Sequence, residues 1–292
     1  MTEMTPNQAP IARESVRSHA SEGVDYRIYG AEMQFVEIEF DPGESIVAEA
    51  GGMMYKAPCV EMETIFGDGS DTDKGFLGKL AGAGRRLITG ESIFTTVFTH
   101  RGSGKAHAAF AAPYAGNITP FHMHQHGGTI ICQKDSFLCA SKGVSIGIHF
   151  SKKIATGLFG GEGFILQKLT AVPGDEYALA FVHAGGTIIE KQLAPGETLE
   201  IDTGCLVAMT ETIDFDVRYI GSIKSAVFGG EGLFLGTLQA GHQGGTVWLQ
   251  SLPFSRMAGR ILSTACGDSG SRQGGEGSIL GGLGSLLDGD NR

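Results

Sequence analysis

Three histidines alternate in the segment "PFHMHQHGG": His122, His124 and His126. On an extended strand, side chains alternate between faces, so the three imidazoles share one side and Phe121, Met123 and Gln125 the other. Neutral imidazole nitrogens presented in this way can ligate a metal ion such as zinc. The same pattern also describes a solvated strand face, because no carboxylate or cysteine stands close by to complete a ligand set. Both readings stay open at this level.

A second set of chemically capable groups is spread along the chain. Gly90-Glu91-Ser92, Gly161-Glu162-Gly163 and Gly230-Glu231-Gly232 each hold a glutamate beside glycine. Converging carboxylates could do acid–base work. A carboxylate between glycines more often accepts backbone N–H bonds and secures a turn. Two of these copies read "FGGEG", which invites a phosphate-loop reading. A phosphate loop, however, should occur once, after a strand and at a helix start, and a Walker loop needs Gly-Lys-Ser/Thr. A structural turn at Gly90, Glu91, Gly161, Glu162, Gly163, Gly230, Glu231 and Gly232 is therefore expected. No Ser/His/Asp triad and no catalytic residue is expected.

The elements that carry these groups follow from the spacing. The three glutamates are 71 and 69 residues apart, and apolar residues follow each at positions three and seven: Phe94 and Phe98, Ile165 and Leu169, Phe234 and Leu238. That period of two predicts a β-strand with one core face. Glycines recur after each strand at Gly104, Gly174 and Gly244, and turn glycines precede each unit at Gly43, Gly127 and Gly196. The pattern predicts an all-β chain of three tandem sandwich-like modules of about 70 residues. The expected boundaries are a flexible tail over 1–25, modules at 26–115, 116–185 and 186–262, and a Gly/Ser-rich tail over 263–292. Module one carries a Gly-rich insertion near 66–89. Its stretch "GFLGKLAGAGRRLITG" mixes apolar residues with Lys79, Arg85 and Arg86. Such a segment could lie on a membrane surface or pack as a loop, and its five glycines make it a weak helix.

Composition narrows the classes. The 292 residues include 46 glycines, only 18% charged residues and a net charge of −10. Glycine abundance favours turn-rich β structure, and the acidity argues against a nucleic-acid partner, which needs clustered Lys and Arg. Five cysteines without CxxC spacing predict reduced core thiols in a cytoplasmic protein. No run approaches the roughly 18 apolar residues of a spanning helix. The N-terminal segment lacks the apolar stretch of a secretory signal.

The segments "PGESIVAEAGGMMY", "GLFGGEGFILQKL", "LAPGETLEIDTGCLVA" and "IKSAVFGGEGLFLGTL" resemble those of the altered-inheritance-of-mitochondria proteins and their bacterial homologues. The resemblance covers nearly the whole repeat region. It implies three double-stranded β-helix modules similar to the tryptophan RNA-binding attenuation protein, and chains joined into a ring, most readily a homotrimer of nine modules. It brings no catalytic residues, and no cofactor is expected. "PFHMHQHGG" departs from the pattern of its relatives. The expected function is a non-enzymatic ring-forming scaffold, with peripheral membrane contact as an option; the alternative is a small-ligand or metal-binding β module. The expected ring contacts are the end strands, "AEMQFVEIEF" with Val36, Ile38 and Phe40, and "TVWLQSLPFSRMAGRIL" with Val247, Trp248, Leu249 and Leu252.

Overall fold

The computed structural model describes residues 23–49, 51–66, 94–149, 165–219 and 234–267. Residues 67–89 of the insertion and all eight turn residues (Gly90, Glu91, Gly161, Glu162, Gly163, Gly230, Glu231 and Gly232) lie outside the described residues, as does most of each expected tail.

The structure is almost entirely antiparallel β. A leading strand β1 (Asp25–Tyr29) is followed by β2 (Phe35–Phe40), β3 (Ser45–Glu49), β4 (Met53–Lys56), β5 (Val60–Phe66), β6 (Phe94–His100) and β7 (Ala106–Ala111). Next come β8 (Asn117–His122), β9 (Thr129–Gln133), β10 (Phe137–Ser141), β11 (Val144–His149), β12 (Leu166–Ala171) and β13 (Leu179–Ala184). The last strands are β14 (Ile188–Leu193), β15 (Thr198–Asp202), β16 (Leu206–Thr210), β17 (Ile213–Tyr219), β18 (Phe234–Ala240) and β19 (Gly245–Gln250). One helix, α1 (Phe254–Gly267), closes the described chain.

Alternation makes these strands. In β2, Val36, Ile38 and Phe40 are fully buried while Glu37 and Glu39 are partly exposed, the pattern of a half-buried sheet. Phe98, Leu169 and Leu238, seven residues after the three glutamates in sequence, are buried at matching places in β6, β12 and β18, as the period of two predicts. The turns before β3 and β15 place Gly43 at φ 90° and Gly196 at φ 76°, where a side chain would be strained.

The pairing scheme has a regular form. Within β2–β7, the pairs are β2–β7, β3–β6, β4–β7 and β5–β6. Strands β8–β13 pair in the same way, as β8–β13, β9–β12, β10–β13 and β11–β12. Strands β14–β19 do so again. Two further pairings cross between these sets: β3 with β10, and β9 with β16. The result is two six-stranded sheets, β5-β6-β3-β10-β13-β8 and β11-β12-β9-β16-β19-β14, and two shorter ones, β1-β2-β7-β4 and β15-β18-β17.

The cores follow the crossings. One joins Val36, Ile38, Phe40 and Phe110 to Leu138, Cys139 and Phe181. Another joins Val47 and Phe121 to Val207 and Trp248. A third holds Leu206, Phe215 and Leu238 with Ile131 and Leu166. Each buried Phe or Ile contributes about 1.5–3 kcal/mol, and each of these cores draws residues from at least two of the six-strand sets.

The terminal strands differ from expectation. The run "TVWLQSLPFSRMAGRIL" is not one strand: β19 ends at Gln250, and an apolar stripe at Phe254, Met257, Ala258, Ile261 and Leu262, spaced for a helix, sets α1. Neither expected contact strand is an edge. β2 lies between β1 and β7, and β19 between β14 and β16. The chain divides after Phe254 into two compact units, the second beginning at Ser255 within α1.

Candidate functional site

The groups with the clearest unspent capacity are two strand edges. In both long sheets the strand order passes through a central crossing, β3 on β10 or β9 on β16. The third pair of corresponding strands, β15 and β4, stands at the ends of the two short sheets. Sheets β17-β18-β15 and β4-β7-β2 are thus the two halves of the long-sheet order, with the crossing unmade and β1 added at the far side.

Burial records the difference. In β10, Phe137, Leu138 and Cys139 are 2%, 2% and 0% exposed; the corresponding Met53 and Met54, with Tyr55 in β4, are 37%, 52% and 41% exposed. On the other partner, Val47 in β3 and Ile131 in β9 are buried, whereas Glu200 in β15 is exposed. Arg218 of β17 reaches Glu200 across β18. Met53, Met54 and Tyr55 leave exposed apolar surface on a strand that ends its sheet among the described residues, an edge that a chain in water must cover or blunt.

A second cluster gathers around the buried His183, near the connection from β7 to β8. His183 in β13 is 1% exposed, and neither ring nitrogen has a partner. Burial pushes it down to about 4, so the ring is neutral. The ring of Tyr114 stands edge-on to it at 4.6 Å, and its hydroxyl donates to the Asp135 carbonyl at 3.3 Å. Burial pushes the Tyr114 phenol up to about 12, with Asp135 and Glu49 adding to the effect. Glu49 ends β3; burial, reinforced by Asp135 and eased by Lys134, raises its carboxyl to about 7.

The histidine segment is corrected. β8 ends at His122, and Met123–His126 form a 3₁₀ turn closed by Gly127 at φ 70°. The alternation therefore stops after Met123, which is buried. His124 is exposed, its ring 6.2 Å from that of His122. His126 turns instead against Phe121 and Trp248, at 5.4 and 5.3 Å. Trp248 in turn donates its indole N–H to Glu190 at 3.1 Å. Burial lowers both His122 and His126, the first helped by His124, the second opposed by Glu190. Among the described residues no group of three or more His, Cys, Asp or Glu is placed to hold a metal ion.

The nucleophile pattern GxSxG does occur once, at Gly143-Val144-Ser145-Ile146-Gly147, a match the sequence reading passed over. Ser145 lies within β11, opposite Thr170 of β12, and not on a strand-to-helix turn, so the nucleophile elbow is not formed. Cys132 and Cys139 are buried free thiols raised by burial. Cys59 is free and exposed. The sequence reading also missed Tyr55, Lys56, Glu200 and His183. The only signal for the edge was the doubled methionine of "GGMMY", where β10 and β16 carry "SFLC" and "CLVA".

The fold and its open edges define an antiparallel β protein of several sheets in which no helix among the described residues is long and apolar enough to cross a membrane. Residues 26–252 match the model of the mitochondrial biogenesis AIM24 family, and the chain belongs to that family. An uncharacterized protein of Streptococcus pyogenes serotype M6 is 31% identical over 233 residues, covering 78% of this chain and 86% of its own. The X-ray structure of a Streptococcus pyogenes protein shares the fold with a TM-score of 0.62 at 21% identity, covering 82% of this chain and 99% of its own.

Proposed function

We propose that the protein is a non-enzymatic assembly scaffold of the cytoplasm: three copies of one six-strand module in a chain, joined head to tail with further copies into a ring. The observation that carries this reading is the unmade crossing. The chain makes the β3–β10 type of joint twice and presents both halves of a third, β15 at one end and β4 at the other. Such a joint between chains is heterologous, and it closes into a ring when the rotation permits. A homotrimer of nine modules is the closure favoured here, in agreement with the resemblance of the motifs. The exposed Met53, Met54 and Tyr55 give the contact apolar surface to bury. A ring would also present one glycine-rich insertion (near 66–89) per chain, and several weak basic segments together bind a membrane surface better than one.

Light scattering across low micromolar concentrations tests the assembly. A trimer has three times the 30.7 kDa chain mass. A stable mass of one chain removes the scaffold reading. Co-sedimentation with anionic vesicles tests the membrane part, and protein that stays in the supernatant removes that part alone.

A further inference from the structure

The internal joints also say how the outer one should fit. Pairing with β13, β19 and β7 aligns Cys139, Ala208 and Tyr55, since these stand opposite Phe181, Trp248 and Ala109 just beyond the same register shift. Pairing with β6, β12 and β18 aligns Ala48, Cys132 and Ile201 opposite Thr96, Gln167 and Gly236. In the two made joints, Cys139 faces Ala48 and Ala140 faces Val47; Ala208 faces Cys132 and Met209 faces Ile131. Carried to the open strands, the same antiparallel register sets Tyr55 opposite Ile201, Lys56 opposite Glu200, and Ala57 opposite Leu199.

Resting on the scaffold reading, we infer that β4 of one chain docks on β15 of a second copy in this register, with Lys56 against Glu200 as its polar key. The internal joints are apolar at that place, Ala140 on Val47 and Met209 on Ile131. The outer joint alone carries opposite charges, on strands exposed until the partner arrives. The two internal joints need no selection, because the chain connects their strands. The outer joint must choose a register among free molecules, and a one-residue slip would send every side chain to the wrong face. Opposite charges directly across strands favour the correct register, and like charges oppose it. The exposed Tyr55 ring meets Ile201, an aromatic on a β-branched side chain, a favoured cross-strand pair.

The experiment uses the full chain in a Cys59→Ser background, with Lys56→Cys and Glu200→Cys in the same chain. Mild oxidation should link chains into covalent multimers that reduction reverses. Moving one cysteine to Leu199 in place of Glu200 should cut the yield several-fold. A second arm uses Lys56→Glu, which places like charges across the joint and should lower the assembled fraction at low micromolar concentration at least several-fold. Adding Glu200→Lys with Arg218→Glu, which keeps the pair inside the chain, should restore it. An assembled protein that shows neither the linkage nor the rescue overturns the register and leaves the scaffold reading standing. A disulfide formed within one chain overturns the choice of a second copy. A parent of one-chain mass overturns both readings.

Discussion

His183 invites a substitution that should stabilise the protein, and only in acid. The imidazole is 1% exposed and has no hydrogen-bond partner. Its folded value of about 4 lies below its ordinary 6.5. The unfolded chain therefore takes the proton first as pH falls, so stability is intact above 6.5 and is lost as pH falls toward 4. With one unit equal to about 1.4 kcal/mol, this ring costs the protein roughly 2 kcal/mol at pH 5 and almost nothing at pH 7. At the corresponding place in the last set of strands stands Gln250, whose amide accepts from Gly185 N at 2.8 Å and donates to the Gly204 carbonyl at 2.8 Å. His183→Gln supplies the same group without a titrating nitrogen. Urea unfolding of both proteins, followed by the fluorescence of the single tryptophan Trp248, measures the difference at pH 7, 6 and 5. The advantage of the variant should grow by about 2 kcal/mol from pH 7 to 5. An advantage that does not change with pH would refute the account of the buried ring.

Glu49 should act in the opposite sense over the same range. Its folded value of about 7 exceeds the ordinary 4.5, so its contribution is full below 4.5 and is lost as pH rises through 7. Glu49→Gln should flatten that loss by about 1–2 kcal/mol between pH 5 and 7 in the same urea series, the two groups nearly compensating in the parent. Gly236 in β18 leaves no room for a side chain, since a Cβ there would meet the Phe215 ring at 2.7 Å and Ile201 at 3.2 Å. Gly236→Val should cost about 1–3 kcal/mol by overpacking, read as a lower thermal midpoint, and should weaken assembly because Ile201 lies on β15. Trp248→Phe should cost about 1–3 kcal/mol in chemical denaturation, since Trp248 is buried and the smaller ring leaves a void beside Phe121 and His126.

How much of this was legible in the sequence varies with range. The alternation in β2, the core positions Phe98, Leu169 and Leu238, and the turn glycines Gly43 and Gly196 are local signals, set by period two and by positive φ. The all-β class follows from them. What failed depends on pairing. Val247–Leu249 read as an edge because it ends the repeat, yet β19 is paired on both sides; nothing local marks Met53–Lys56 as an edge, yet it ends its sheet. Both outcomes depend on partners remote in sequence, which hydrophobic pattern does not encode. The histidine segment failed for a local reason: "HGG" supplies left-handed glycines at Gly127 and Gly128, which favour a turn over a continued strand. His183 was hidden because nothing in "LAFVHAGG" shows that both ring nitrogens go unmet. The Lys56 and Glu200 pairing requires aligning two internal joints before it appears.

Amide hydrogen exchange on the parent protein, with its mass measured on the same sample, tests the central claim most directly. The covered edge should make β4 (Met53–Lys56) and β15 (Thr198–Asp202) exchange as slowly as β10 and β16, in a sample of multi-chain mass, while the outer edges β1 and β5 stay fast. If β4 and β15 exchange as fast as β1 and β5, or are slow in a sample of one-chain mass, chains are not joined at these edges.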